Sequence, residues 1–202
     1  MNLHKNDLPS SLIFKNSVAI DTEAMGLQIK RDRLCLVQIC SEDGEVHLVQ
    51  ILKNQQNEAE NLKRLLTDKS ILKIFHFARF DVSILNHTFG IKVTPVYCTK
   101  IASKLARTYS DKHGLKSLCR EILDVEISKQ EQSSDWGKTQ LSAEQLRYAA
   151  KDVLYLHKLK SILDEMLIRE DRMLLAQQCF ETITLFSDLE LADINPDELF
   201  LH

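Results

Sequence analysis

Four carboxylates and a phenol are spaced so that they could do chemistry together. Asp21 and Glu23 flank Thr22 at the end of a run whose preceding residues Val18, Ala19 and Ile20 are core-like. Acids two residues apart on a strand project to the same face. Like charges placed this way repel unless a cation sits between them, and hard oxygen donors suit Mg²⁺ or Mn²⁺ better than zinc. Asp81 closes the segment HFARFD, where a strand hands over to a helix. Asp152 lies four residues after Tyr148 in RYAAKD, a spacing that sets phenol and carboxylate side by side on one helical face. Each feature alone has a plainer reading. Asp21 and Glu23 would serve as a solvated strand end or cap, Asp81 as a first-turn acid complementing the helix dipole, and Tyr148 with Asp152 as the edge of an amphipathic helix. Only their combination points to a metal site.

Positioning these groups takes a recognisable set of elements. Ser17 to Asp21, Leu34 to Cys40 and Glu45 to Ile51 are β-rich runs, the last two separated by the turn-prone Asp43-Gly44, and they predict a three-stranded meander. A helix with Leu62, Leu65 and Leu66 on its apolar face follows, then a fourth strand over Ile71 to His76 feeding a helix that runs through about Leu85 to His87. Pro95 to Cys98 is a short fifth strand. Beyond it the segments Thr99 to Leu105, Leu115 to Leu123, Ser142 to about Glu165 and a stretch into the 180s are all helical. Ser142-Ala143-Glu144-Gln145 is a capping box. Antiparallel strands followed by βα units predict an α/β fold, a mixed sheet flanked by helices with a helical C-terminal part. Residues 106–114 and 124–140 are weakly structured, and loops of that length are usually functional or lids.

A chain of 202 residues with 44% hydrophobic content predicts one domain over residues 1–202. The balance of 29 acidic and 26 basic residues, a formal charge of -3, argues against gripping a long duplex through phosphate contacts alone. The five cysteines lack the paired spacing of a zinc site and read as free thiols in a reducing, cytoplasmic compartment. The amino terminus has no apolar signal core and no stretch approaches the roughly 18 apolar residues of a membrane span, so no membrane role is expected.

D-x-E, then H-x-x-x-F-D, then Y-x-x-x-D occur in the order found in DEDDy 3′-5′ exonucleases, and the chain resembles the ribonuclease D group within that family. The resemblance extends over DTEAMGL, RDRLCLVQIC, HFARFD and KQEQSSDWGKTQLSAEQLRYAAKDVLYL, roughly residues 17–165. It is similar above all to the short alphaproteobacterial nano-RNase C type, through CTKIASKLARTYSDKHGLKSLCREILDVEISKQEQSSDW. The extra helical nucleic-acid-binding domains of full ribonuclease D are not expected in a chain of this length. The resemblance implies a ribonuclease H-like (DnaQ-like) fold and a 3′-5′ exoribonuclease that cuts dinucleotides and short oligomers to nucleoside 5′-monophosphates. It further implies two divalent ions, Mg²⁺ or Mn²⁺, with Asp21 bridging them, Glu23 and Asp152 on one and Asp81 on the other, while Tyr148 orients the attacking water. Thr22 is a further expected substrate contact, Leu27 is expected to wedge between two bases and His76 to meet the terminal sugar. Trp136 would stack on a base or anchor its loop. Lys30, Arg31, Arg33, Lys100, Arg107 and Lys129 are candidate phosphate contacts, and a ring-shaped homo-oligomer is implied, an octamer being one size open to it. Two other functions stay open: a general 3′-5′ exonuclease on longer RNA or DNA, and a catalytically inactive nucleic-acid-binding scaffold.

Overall fold

Alternating and continuous apolar runs build a sheet whose centre is buried on both faces. In the computed structural model, which describes residues 1–55, 58–127 and 134–201, six strands are ordered β1-β4-β3-β2-β5-β6. They are β1 (Asn2–Lys5), β2 (Ser17–Ala24), β3 (Leu34–Ser41), β4 (Val46–Gln50), β5 (Leu72–Phe75) and β6 (Val96–Cys98). The expected meander is present: β2 pairs antiparallel with β3, and β3 with β4. β5 then joins β2 in parallel through Ala19 and Ile74, and β6 joins β5 in parallel. The sheet is therefore mixed, as the pattern predicts.

One strand was not foreseen. The N-terminal residues Asn2–Lys5 add to the sheet edge parallel to β4, although their side chains are mostly exposed. Ladder hydrogen bonds hold this strand, helped by contacts from Asn2 to Glu45 at 2.7 Å and between the His4 and His47 rings at 3.1 Å. Edge pairing of this kind leaves no apolar alternation to read.

Eight helices follow among the described residues: α1 (Glu60–Thr67), α2 (Arg79–Phe89), α3 (Thr99–Ala106), α4 (Leu115–Leu123), α5 (Ala143–Leu154), α6 (Leu156–Arg169), α7 (Met173–Leu191) and α8 (Pro196–Leu199). The single helix expected from Ser142 to about Glu165 is in fact two. Tyr155, at φ -103° and ψ -5°, separates α5 from α6. The packing explains the interruption, since α5 lies against β2, β3 and β4 while α6 turns to α3, α4 and β5. No described helix is long and apolar enough to cross a membrane. All five cysteines are free thiols, four of them buried.

The start of α5 is fixed by the predicted capping box. Ser142 Oγ accepts from Gln145 N at 3.2 Å, and Gln145 Oε1 accepts from Ser142 N at 2.9 Å. Gln145 Nε2 reaches back to Ser134 Oγ and the Asp135 carbonyl, so the same side chain ties the preceding loop to the helix. Replacing Ser142 with Ala should lower stability by about 1 kcal/mol. Gln145→Ala, which also releases the loop, should cost more. Urea midpoints for both variants check this, and a Gln145→Ala midpoint at or above that of Ser142→Ala would show that the loop tether contributes nothing.

Candidate active site

Three elements converge on one cluster of acids. The end of β2 carries Asp21 and Glu23, the first turn of α2 carries Asp81, and α5 carries Tyr148 and Asp152. One carboxylate oxygen from each of Asp21, Glu23 and Asp152 lies within 4.8 Å of the others. Asp81 is buried and joins them through Thr22, whose Oγ1 donates to Asp81 Oδ1 at 2.6 Å. Tyr148 hydrogen-bonds Asp152, as their spacing on one helical face requires. Thus the structure brings all five chemistry-bearing residues, together with Thr22, to one place.

Gln38 is a site residue that sequence reasoning passed over. It sits opposite Asp21 in the β2–β3 register and donates Nε2 to Asp21 Oδ2 at 3.2 Å from a fully buried position. A lone glutamine in the apolar strand LCLVQIC was the available signal, because a buried amide on a strand needs a partner.

The electrostatics are unfavourable for bare carboxylates. Burial, then the charges of Asp81, Asp152 and Glu23, push Asp21 well above the usual carboxylate range. Burial and the same neighbourhood raise Glu23 to about 9. Asp81 rises to about 7, again through burial first, even though the Thr22 hydroxyl favours its ionised form. Burial, followed by the nearby carboxylates, also pushes the Tyr148 phenol far above its ordinary value. A donor set made only of negatively charged oxygens fits a hard divalent cation. Such a charge is what would let all of these groups ionise together.

The acids line an open cleft of about 800 Å³. Leu27, 83% exposed, stands on one wall, on a loop that depends on Gly26. A Cβ at Gly26 would lie 2.2 Å from Asp32 Oδ2, the oxygen that accepts from Gln28 N and closes the loop. His76 and Thr99 are hydrogen-bonded at 2.9 Å; since the Thr99 hydroxyl proton goes to the Phe75 carbonyl, His76 Nδ1 is the donor. Trp136 lines the cleft but is only 3% exposed and packs against the Tyr148 ring with centroids 6.2 Å apart. Of its two expected roles, this placement favours loop anchoring over base stacking. Phe77, which the sequence reading did not nominate, is exposed on the cleft wall.

The candidate phosphate contacts separate cleanly. Arg33 donates to the carbonyls of Ile51 and Gly137, and buried Arg107 is held by Glu121 and the Lys112 carbonyl, so both guanidinium groups are committed inside the protein. Lys30 pairs with Asp193 and Arg31 with Asp32. Lys100 lines the cleft, joined by Lys116, which had not been nominated. Lys129, with much of the 124–140 loop, lies outside the described residues.

Comparison with known proteins gives a consistent picture. Residues 5–168 match the 3′-5′ exonuclease family. Ribonuclease D of Gluconacetobacter diazotrophicus is 35% identical over 156 residues, covering 77% of this chain and 39% of that protein. The chain thus spans about two fifths of the length of the curated ribonuclease D relatives it matches. Among solved structures, Brucella melitensis NrnC with bound Mg²⁺ superposes with a TM-score of 0.90 at 52% identity, covering 95% of this chain and 93% of that one. The same protein bound to pGG gives 0.91 and 53% with the same coverage.

The raised carboxylates make stability depend on pH in a defined sense. A carboxyl whose folded pKa exceeds its unfolded value holds a proton that the unfolded chain has released, so stability falls as pH rises between those values. For EDTA-treated protein between about pH 7 and about pH 8, above the histidine range, the loss should be about 1.4 kcal/mol per pH unit for each proton held. Saturating Mg²⁺ or Mn²⁺ should flatten the slope, and Glu23→Gln should make it shallower without metal. Thermal midpoints across that window provide the check, and identical slopes with and without metal would rule out a cation site at these acids.

Proposed function

Because the chain belongs to the 3′-5′ exonuclease family, and within it is a ribonuclease D relative of the NrnC kind, we propose that it is a metal-dependent 3′-5′ exoribonuclease. It releases nucleoside 5′-monophosphates from short RNA oligonucleotides, with dinucleotides preferred. The observation that carries this reading is the gathering of Asp21, Glu23 and Asp152 within 4.8 Å, with Asp81 tied in through Thr22 and Tyr148 beside Asp152. Asp21, Glu23, Asp81 and Asp152 are the residues that would hold two divalent ions, Mg²⁺ or Mn²⁺. Bound there, the metal supplies positive charge that lowers the pKa of water and stabilises charge developing on the phosphate oxygens.

The remaining work falls to the chain's own groups. Gln38 fixes one oxygen of Asp21, and Thr22 fixes one of Asp81, so the carboxylates face the cleft in a preset orientation. An ordinary phenol pKa of about 10, pushed up here by burial and then by the neighbouring carboxylates, suits Tyr148 to orienting the attacking water by hydrogen bonding. Trp136 packs on the Tyr148 ring and limits its motion. Leu27 parts the two bases, His76 meets the terminal sugar, and Lys100 and Lys116 offset substrate phosphate charge. Preference for two nucleotides is supported by the pGG-bound neighbour and, among the described residues, by a cleft lining whose cations are Lys100 and Lys116. The homo-oligomeric ring is supported by Ile168, Leu174, Leu175 and Leu185, apolar side chains exposed on α6 and α7. The free thiols favour a reducing, cytoplasmic setting.

Tyr148→Phe keeps the ring packing and removes one hydroxyl. Its turnover number should fall by roughly 10²-fold with little change in KM, and an unchanged turnover number would take Tyr148 out of the mechanism.

Substrate length is tested by following a 5′-phosphorylated dinucleotide and an oligomer of about seven nucleotides side by side in Mg²⁺, Mn²⁺ and EDTA. The dinucleotide should be cleaved faster, and EDTA should abolish both reactions. Equal rates on the two RNAs, or on a matching DNA oligomer, would establish the broader exonuclease on longer RNA or DNA in place of the short-substrate enzyme. No cleavage of any substrate with either metal would leave the inactive scaffold.

A further inference from the structure

Phe77 breaks two ordinary rules at once. Its φ is +68°, in the left-handed region that disfavours a bulky side chain. It is also 55% exposed on the wall of the acid-lined cleft, where a large aromatic gains nothing from burial. The segment joining β5 to α2 is over-determined around it. On its N-terminal side His76 is bonded to Thr99. On its C-terminal side Arg79 donates Nε to Glu190 at 2.6 Å and Nη1 to Asp197 at 3.0 Å, and Ser83 bonds the other Glu190 oxygen at 2.7 Å. Those partners, at the end of α7 and in α8, hold the segment so that the strained backbone persists and the ring stays turned into the cleft. Over the ring sits Lys100 Nζ, 3.6 Å from its centroid, which places a cation beside an aromatic surface on the same wall.

Taking the exonuclease reading above as its premise, we infer that Phe77 is a specificity-determining residue: the ring face opposite Lys100 is the platform on which one base of the substrate stacks, with Lys100 held over the other face for the adjoining phosphate. An aromatic face next to a cation is the combination that single-stranded nucleic acid selects, since every base has a π-face and every linkage a charge. Hydrogen bonds play no part in the contact, so it reads the presence of a base and not its identity. With Leu27 exposed on the same cleft, the substrate meets two apolar contacts, which suits a ligand of very few bases.

The test compares wild type with Phe77→Leu, Phe77→Tyr and Phe77→Gly on a 5′-phosphorylated dinucleotide, and on two analogues lacking the base at one position or the other. Phe77→Leu should raise KM for the intact dinucleotide by roughly 10- to 100-fold, the size expected for losing one stacked base. Its kcat should change little, and Phe77→Tyr should restore the wild-type KM. The Phe77→Leu penalty should vanish on one of the two abasic analogues, because the interaction is already missing there. Phe77→Gly, which removes both strain and ring, should melt no lower than wild type and still show the KM loss. An unchanged KM in Phe77→Leu, an equal penalty on both analogues, or a change of oligomeric state by light scattering in every variant would overturn the assignment. Failure of the wild type to cleave the intact dinucleotide would overturn the exonuclease reading, and the inference with it.

Discussion

Buried negative charge is the constraint on which the rest of this structure depends. Asp21, Glu23 and Asp81 are raised by burial and by carboxylate neighbours, with no lysine or arginine of the described residues among the groups offsetting them. A protein that merely needed stability would not assemble such a cluster, because like charges taken out of water oppose folding. The framework resists it with apolar burial. Val18, Ala19 and Ile20, immediately before Asp21, are fully buried in the central strand, and burying a Val or Ile side chain contributes about 1.5–3 kcal/mol. Val153 does the same beside Asp152, and Val82 beside Asp81. Asp21, Asp81 and Asp152 are thus each placed next in sequence to a residue that cannot leave the core, so the repulsion is held in place.

The cleft walls are built on a different principle. The acids stand on a strand and two helices, whereas Leu27 and Phe77 stand on connecting segments held by polar contacts. Lys30 pairs with Asp193 near one wall, and Arg79 pairs with Glu190 and Asp197 near the other. The Lys30 pair is exposed and contributes only about 0–1 kcal/mol, whereas the Arg79–Glu190 pair is half-buried and shares Glu190 with Ser83, so it holds its segment more firmly. All three of those acidic partners lie beyond residue 168, where the match to the exonuclease family ends. Acids and cleft walls therefore lean on different parts of the chain: the region matched to the family carries the acids, and the C-terminal segment ties down the walls.

That division explains what could be read in the sequence. Asp21, Glu23, Asp81, Tyr148 and Asp152 were legible because each needs a regular element with a simple period, two for the strand and close to four for the helix. The capping box at Ser142 was legible because its chemistry is local. The break at Tyr155 was not, since buried residues continue at helical spacing through Ala149, Val153, Leu156 and Leu159, and neither proline nor glycine marks the turn. Strand β1 was missed because main-chain pairing at an edge has no side-chain signature. Gln38 and Phe77 owe their significance to partners far away in the chain. For Gln38 that partner is a strand register, and for Phe77 it is a backbone angle sustained by Glu190 and Asp197. No local pattern encodes either.

Charge accounting around the cleft then links fold to substrate choice. A protein that follows a long strand gains affinity with every phosphate it neutralises, and it needs a row of available cations to do so. Here Arg33 and Arg107 are committed to backbone carbonyls and a glutamate, and Lys30 and Arg31 to neighbouring aspartates. Lys100 and Lys116 remain at the cleft, in a chain whose formal charge is -3. Two cations can offset about two phosphates, and a further nucleotide gains affinity only where a further cation meets it. Contact with bases has to make up the difference, and the exposed apolar side chains of Leu27 and Phe77 line the cleft. Affinity assembled in this way would saturate at a short length, so the proposed preference for a small substrate would follow from where the positive charge has been used elsewhere in the fold.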